Sequence, residues 1–256
     1  MKNPHHILIT GGSSGIGRAL ALRYAAPGIF LALTGRDAQR LEEVARECRA
    51  KGAEVETSLV NVVEKTGLAE WIEKIDDRFP LDLVIANAGI SGGTGVMQSE
   101  PVKQARAIFD VNLTGVLNTV EPALPRMLAR GKGQIAVMSS LAAYRGWPGA
   151  PAYSASKGAV RFYGEAMRGA LKDTGVEMNV ICPGFVESRM TDVNRFPMPF
   201  LMPAEKAAVI IVKGLAENKG RIAFPLPTHF LAWLVSVFPD VLIQKILTRL
   251  PAKSAL

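Results

Sequence analysis

The sequence predicts an α/β fold: a doubly wound parallel sheet with helices on both faces (three layers, α/β/α), in one domain. Two observations predict it. Short apolar runs alternate with helical patterns and little linker between them, and strands separated by such helices form βαβ crossovers. A glycine-rich turn also follows the first apolar run and precedes the first helical pattern, which is typical of a Rossmann-type sheet.

The predicted strands are short apolar runs, as expected of parallel strands that are buried on both faces. They lie at residues 7–10, 30–33, 55–60, 83–86, 134–138 and 177–181. The predicted helices carry apolar residues at helical spacing, at residues 18–26, 38–51, 65–78, 102–130 and 152–172. Pro122 and Pro125 are expected to kink the fourth helix, because proline lacks the N–H that a helix interior requires.

The glycine-rich turn predicts a dinucleotide site. Gly11, Gly15 and Gly17 have the spacing GxxxGxG between the first strand and the first helix. Glycines permit a tight turn there and let backbone N–H groups approach a pyrophosphate, while the helix N-terminus adds partial positive charge. The pattern is weak alone, but its place after the first strand of an α/β chain supports the prediction.

A second group of residues predicts proton-transfer chemistry. Tyr153 and Lys157 are four residues apart, and Ser140 precedes Tyr153 by thirteen positions. Side chains at i and i+4 share one face of a helix, so the lysine ammonium can stabilise the phenolate and lower the tyrosine pKa. Such a phenol can exchange a proton at cellular pH, as carbonyl/alcohol interconversion requires. A YxxxK spacing alone also arises by chance.

Together these motifs resemble the short-chain dehydrogenase/reductase family in its single-domain form, from about Ile7 to Met190. The residues that carry the resemblance follow the family's order: Thr10-Gly11 to Gly17, Asn87-Ala88-Gly89, Asn112, Ser140, Tyr153 with Lys157, and Pro183-Gly184. The chain departs from the family's pattern by mild substitutions at Ala86, Asn61 and Ser188.

The resemblance implies an NAD(P)(H)-dependent oxidoreductase that interconverts a carbonyl and a secondary alcohol. It implies that Tyr153 is the general acid or base, and that Ser140, rather than the adjacent Ser139, holds the substrate oxygen. It also implies that Lys157 lowers the Tyr153 pKa and bonds the nicotinamide ribose. Asn112, in the long fourth helix, would hold a water that links Lys157 to solvent.

The cofactor contacts that follow from the turn and from the resemblance lie after successive strands. They are Gly11, Ser13, Ser14, Gly15, Ile16, Gly17, Arg36, Asn61, Val62, Asn87, Ala88, Gly89, Tyr153, Lys157, Pro183, Gly184, Val186 and Ser188.

The end of the second strand favours NADP(H) over NAD(H). An acid at that position bonds the 2′-hydroxyl of NAD and repels the 2′-phosphate of NADP. The sequence has Gly35 there, followed by Arg36, whose guanidinium can pair with a 2′-phosphate. Asp37 is the alternative ribose ligand, which would favour NAD(H), but we interpret it as the N-cap of the helix that begins at Ala38.

Two other functions share part of this pattern. A non-catalytic dinucleotide sensor would keep the glycine turn, but it has no reason to retain Ser140, Tyr153, Lys157 and Asn112 together. A nucleotide-sugar epimerase or dehydratase uses a related YxxxK site, but it usually needs a larger substrate domain than follows Met190. The leading hypothesis is therefore an NADPH-dependent carbonyl reductase.

The sequence does not identify the substrate, but it indicates a candidate pocket. The pocket residues would be Leu141, Tyr144, Trp147, Phe185, Met190 and residues 196–202. Their methionines and aromatic rings favour an apolar, lipid-like ketone. The same residues could instead pack a lid onto the body of the domain.

Composition limits the partners and the compartment. The net charge is +7, but the basic residues are scattered among acids, so we expect no nucleic acid to bind. Cys48 and Cys182 are too few for a disulfide framework, which favours the reducing cytoplasm. The three histidines form no ligand pattern, so we expect no catalytic metal. Residues 1–6 lack the apolar core of a signal peptide.

The chain is expected to divide into a dinucleotide-binding and catalytic domain, residues 1–226, and an apolar helical tail, residues 227–256. Residues 230–238 are apolar but end at Pro239-Asp240, too short a stretch to span a bilayer. Beyond it, apolar residues alternate with polar ones at helical spacing: Ile243, Ile246, Leu247 and Leu250 opposite Gln244, Lys245, Thr248 and Arg249. Two such helices fit peripheral membrane contact, a lid over the cleft or a dimer contact.

The resemblance also implies a homodimer or homotetramer, in which helices 102–130 and 152–172 pair across a two-fold axis. Small and apolar residues of the second helix exceed what one buried face requires, namely Ala159, Phe162, Tyr163, Ala166 and Ala170.

Overall fold

A seven-stranded parallel sheet forms the centre of the protein. The computed structural model describes residues 3–94, 101–194 and 196–239, with the single residues 241, 243, 247 and 253. The strands are β1 (His6–Ile9), β2 (Phe30–Thr34), β3 (Glu54–Ser58), β4 (Leu83–Ala86), β5 (Gly133–Met138), β6 (Val176–Pro183) and β7 (Arg221–Phe224). Their order is β3-β2-β1-β4-β5-β6-β7, and every adjacent pair is parallel.

Helices connect the strands along the described chain. They are α1 (Gly15–Tyr24), α2 (Ala38–Ala50), α3 (Lys65–Arg78), α4 (Val102–Phe109), α5 (Gly115–Arg130), α6 (Pro151–Ala170), α7 (Arg189–Asp192), α8 (Ala204–Ala216) and α9 (Leu226–Val237). A π-helical turn, Asp110–Thr114, joins α4 to α5, and a 3₁₀ turn, Leu141–Ala143, follows β5.

Two apolar cores, one on each face of the sheet, confirm the predicted three-layer doubly wound architecture. Ile7 and Ile9 of β1 point into the core formed with α1, α2 and α8, whereas Leu8 points into the core formed with α3, α5 and α6. This alternation follows from the two-residue period of a strand. The order of strand connections reverses between β1 and β4, which is the point where open α/β sheets bind their ligands.

Two predictions about single elements were wrong. The third strand was expected to be buried on both faces, but β3 is the edge of the sheet and only its Val55 is buried. The fourth predicted helix departs from α-helical geometry at residues 110–114, whereas α5 continues through Pro122 and Pro125. Burial of Ala123 and Met127 against the sheet supports the continuation of α5 past both prolines, because tertiary packing overrides helix propensity. A kink at the prolines stays a prediction.

The last third of the chain contains elements that the sequence patterns did not predict, among them helix α8 and strand β7. Strand β7 extends the sheet beyond β6. Helix α9 follows β7 and corresponds to the first helix of the predicted tail. No residue of α9 is buried, whereas Ile243 and Leu247 are. The other residues of the predicted second tail helix, Gln244, Lys245, Ile246, Thr248, Arg249 and Leu250, lie outside the described residues.

Within the described residues, no helix combines the length and the hydropathy that a membrane crossing requires. The division into a domain of residues 1–226 and a tail of residues 227–256 stays a prediction.

Candidate active site

A cleft of about 760 Å³ lies at the carboxyl ends of the strands. Every residue predicted to contact the cofactor lines it. The turn after β1 supplies Gly11 and residues 13–17, β2 is followed by Arg36, and the segment after β3 supplies Asn61 and Val62. The end of β4 supplies residues 87–89, and the end of β6 and the loop after it supply Pro183, Gly184, Val186 and Ser188. The sheet thus brings together residues that are far apart in the sequence.

The glycine turn has the geometry of an anion cradle. Gly11 (φ 68°) and Gly15 (φ 52°) adopt the left-handed conformation that favours glycine, and a Cβ on Gly17 would collide with the carbonyl oxygen of Gly11. Asn87 ties β4 to this turn, because its Nδ2 donates to the carbonyls of Thr10 (2.9 Å) and Gly11 (3.2 Å). The open space at the N-terminus of α1 fits a pyrophosphate.

The end of β2 presents arginines to the cleft. A Cβ on Gly35 would lie 2.9 Å from the Ser13 side chain, so an acidic residue at that position would crowd the glycine turn. Asp37 is the N-cap of α2, as predicted: its Oδ1 accepts from Arg40 N at 3.0 Å. Its Oδ2 pairs with the Arg40 guanidinium at 2.9 Å. Arg36 is exposed at the mouth of the cleft.

Arg40 is a cleft residue that the sequence patterns did not single out. It lies in the first turn of α2, and its Nε is buried without a hydrogen-bond partner in the described structure. An unpaired buried donor favours binding of an acceptor. Its place three residues after the predicted N-cap Asp37 could have indicated it, because the first turn of that helix lies beside the cofactor site.

Ser140, Tyr153 and Lys157 all line the cleft, with Tyr153 and Lys157 on the same face of α6. The Ser140 side chain interacts with Tyr153 and lowers the pKa of its phenol, and its Oγ accepts from Ala142 N at 3.1 Å. The Ser139 hydroxyl is buried and donates to the Lys157 carbonyl at 2.7 Å. The two adjacent serines therefore have different partners.

The expectation that Lys157 lowers the Tyr153 pKa is not met. Burial raises the pKa of Tyr153, and the hydrogen bond with Ser140 only partly opposes this. Lys157 Nζ instead donates to the Met138 carbonyl at 2.8 Å. Burial lowers the pKa of Lys157 to about 8, because an apolar environment disfavours the ammonium.

Asn112 is buried in the π-helical turn, a local geometry that is frequent at functional sites. Its amide is bonded within the protein: Oδ1 accepts from Ile90 N (2.8 Å), and Nδ2 donates to Ile90 O (2.9 Å) and Ser156 Oγ (3.1 Å). A Cβ on Gly89 would lie 3.2 Å from Asn112 Oδ1 and 3.3 Å from Lys157 Nζ. Asn112 thus lies behind Lys157 and, alone among the predicted site residues, is not a lining residue of the cleft.

Aromatic rings line the other end of the cleft. Trp147 and Phe185 each pack edge-on against Phe196, with centroid distances of 5.7 and 6.1 Å. Leu141, Tyr144, Met190, Pro197 and Pro199 also line this end, so most of the predicted pocket is present. Helix α9 contributes Thr228, Leu231, Ala232 and Val235. Lys253, which the sequence patterns also missed, reaches the cleft from the tail.

Where the chain is described, no group of three or more His, Cys, Asp or Glu side chains is placed to hold a metal ion.

Comparisons with known proteins agree with this arrangement. A family model described as "short chain dehydrogenase" matches residues 5–197. An uncharacterized oxidoreductase of Myxococcus xanthus is 38% identical over 244 residues, covering 95% of this chain and 96% of that protein. The 3-oxoacyl-(acyl-carrier-protein) reductase of Staphylococcus aureus is 32% identical, covering 75% of this chain and 78% of its own length.

The fold is similar to that of a short-chain dehydrogenase from Sphingobium yanoikuyae, solved in complex with NADPH. The TM-score is 0.79 at 23% identity, and the match covers 98% of each chain.

Proposed function

The chain belongs to the short-chain dehydrogenase family, whose members are NAD(P)-dependent oxidoreductases of CH–OH and C=O groups, and we propose that it is an NADPH-dependent reductase of an apolar ketone. The observation that carries the proposal is the placement of Ser140, Tyr153 and Lys157 together in the cleft, beside a glycine cradle that fits a dinucleotide. A cofactor sensor would have no use for this group of side chains.

Each residue of the group has a distinct role. Tyr153 gives its phenolic proton to the carbonyl oxygen during reduction and takes it back during oxidation. Ser140, whose side chain interacts with Tyr153, holds and polarises the same oxygen. Lys157, whose pKa of about 8 leaves it mostly charged at neutral pH, bonds the nicotinamide ribose. When bound, the nicotinamide supplies the hydride that no side chain can supply.

The preference for NADP(H) rests on the end of β2. Arg36 and Arg40 both line the cleft there, and two guanidinium groups can pair with a 2′-phosphate. Asp37 has both carboxylate oxygens engaged by Arg40, which weakens its candidacy as a ligand of the NAD ribose.

The test is a screen of ketones and secondary alcohols with NADPH and NADH, read as the absorbance change of the reduced nicotinamide. Tyr153→Phe is expected to reduce turnover by about 100- to 10,000-fold, because it removes the proton donor. Its melting temperature and NADPH affinity should stay close to those of the wild type. Tyr163→Phe, on the same helix but outside the cleft lining, is the matched control.

Near-normal turnover by the Tyr153→Phe variant with several substrates would contradict the catalytic assignment. Dinucleotide binding without turnover of any substrate would favour the sensor instead.

We further propose that the protein is a homodimer or homotetramer in the cytoplasm. Phe162 of α6 is 62% exposed and offers an apolar contact to a second copy of the chain. Both cysteines are free thiols, as is usual in a reducing compartment. Light scattering at micromolar concentration tests the oligomer, and a monomer would contradict it.

Peripheral membrane contact through α9 is part of the same proposal. Phe230 and Trp233 are 63% and 46% exposed, and an apolar helix face of this kind fits a bilayer interface. The double variant Phe230→Gln, Trp233→Gln should lose co-sedimentation with anionic liposomes. Equal recovery of both proteins in the supernatant at low salt would contradict the proposal.

A further inference from the structure

Lys253 reaches into the catalytic end of the cleft from the tail of the chain. Its Nζ lies 5.1 Å from the centroid of the Tyr153 ring and donates to Ser91 Oγ at 2.6 Å. The side chain is only 6% exposed. Its backbone N–H donates to the Gly149 carbonyl at 3.1 Å, which also accepts from Thr94 N at 3.1 Å. Lys253 is thus anchored between the loops that follow β4 and β5.

The described surroundings of Lys253 hold no counter-charge. Among the residues that the structure describes, no carboxylate lies within ion-pair distance of its Nζ, and the one acid that lines the cleft is Asp37, which pairs with Arg40. A buried ammonium without an anion is costly, because the low dielectric penalises an unpaired charge. Burial lowers the pKa of Lys253 only to about 8, so most of it carries a positive charge at pH 7.

We propose that Lys253 binds a carboxylate of the substrate, so that the substrate is an oxo acid with an apolar chain. The ammonium and the neighbouring Ser91 hydroxyl can each donate to one carboxylate oxygen, which fits a single negative charge. Because the reacting carbonyl meets the Tyr153 hydroxyl, the carboxylate lies close to that carbonyl, as in a 2-oxo or 3-oxo acid. The apolar chain then lies against Leu231 and Val235 of α9.

This inference rests on the proposed reduction of a carbonyl at Tyr153, and it narrows the ketone to an anionic one. The alternative is that Lys253 acts on Tyr153 alone, by stabilising the phenolate through the ring contact. That effect would be the same for anionic and neutral substrates, so the two explanations make different predictions.

The test compares 2-oxooctanoate and 3-oxooctanoate with their methyl esters, using NADPH and the full chain. For the wild type we expect kcat/KM to be higher for an acid than for its ester. In Lys253→Met this acid-to-ester ratio should fall about 10- to 100-fold, the value of one hydrogen bond to a charged group, mainly through KM. Lys253→Arg should retain part of the preference. Lys172→Met, which removes an exposed charge beyond the end of α6, should leave the ratio unchanged.

Two outcomes would overturn the inference: no preference for the acids in the wild type, or an acid-to-ester ratio in Lys253→Met equal to that of the wild type, whether or not both activities fall. Turnover of esters and neutral ketones without such a preference would leave the proposed function standing. Calorimetric titration with octanoate, which has no keto group, gives an independent measure. If it binds in a Lys253-dependent manner but no ketone is reduced, the proposed function fails and the anion site stands.

Discussion

Replacing Arg36 by alanine is expected to weaken NADPH binding and to leave NADH binding nearly unchanged. The two cofactors differ by the 2′-phosphate, and Arg36 lies at the end of β2, where an open α/β sheet receives the adenosine ribose. On either side of Arg36, Gly35 has no side chain and the Asp37 carboxylate caps α2. Neither residue therefore presents a free acid that would repel that phosphate.

The size of the effect follows from the exposure of Arg36. A hydrogen bond to a charged group contributes about 1.5–3 kcal/mol, and the exposed position of this guanidinium favours the lower end because solvent screens the charge. A loss of about 1.5 kcal/mol corresponds to a roughly tenfold increase in Kd. Arg40 can retain part of the interaction, so the double variant with Arg40→Ala should lose more than the single variant.

Fluorescence titration with NADPH and with NADH measures both affinities in each protein. Arg46→Ala, an exposed substitution on the neighbouring helix α2, is the charge control. Asp37→Ala removes an N-cap and should cost about 1 kcal/mol of stability, while NADH affinity stays near that of the wild type. The reasoning is refuted if the wild type binds NADH more tightly than NADPH, or if Asp37→Ala selectively loses NADH.

Four further substitutions test other parts of the cleft. Gly17→Ala would normally stabilise a helix by about 1 kcal/mol, but here its Cβ meets the Gly11 carbonyl, so we expect a lower melting temperature and weaker dinucleotide binding in titrations. Ser140→Ala should lower kcat about 100-fold. Ser139→Ala should mainly lower the free energy of unfolding in urea by about 1 kcal/mol, since it removes the hydrogen bond to the Lys157 carbonyl. Equal effects of the two variants on kcat would contradict these different roles. Burial lowers the pKa of Lys157 from 10.5 to about 8, so the unfolded chain binds more protons between these values and Lys157 makes stability rise with pH in that window. The unfolding free energy of the wild type, minus that of Lys157→Met, should therefore rise by about 3 kcal/mol from pH 8 to 10.5. A difference that does not change with pH would contradict the lowered pKa of Lys157.

The sequence by itself determined the features that depend on short-range geometry. The glycine spacing from Gly11 to Gly17 predicts the turn, since a left-handed backbone and a close approach each demand glycine locally. The i, i+4 pair Tyr153 and Lys157 shares a helix face for the same local reason, and Asp37 caps α2 three residues from the N–H it accepts. Alternating apolar runs and helices were sufficient for the doubly wound sheet.

Only the tertiary structure decided the contacts that join distant parts of the chain. Lys253 lies one hundred residues beyond Tyr153, so no spacing rule could bring its ammonium to the phenol. The orientation of the Lys157 side chain depends on its hydrogen bond to the Met138 carbonyl at the end of β5. The pKa of Tyr153 depends on how deeply the fold buries the phenol. The edge position of β3 follows from strand order, which the sequence pattern leaves open. Short-range geometry determines how neighbouring residues are arranged in each element. Packing sets the distances between elements and the burial of each side chain, and these decide which groups carry a charge.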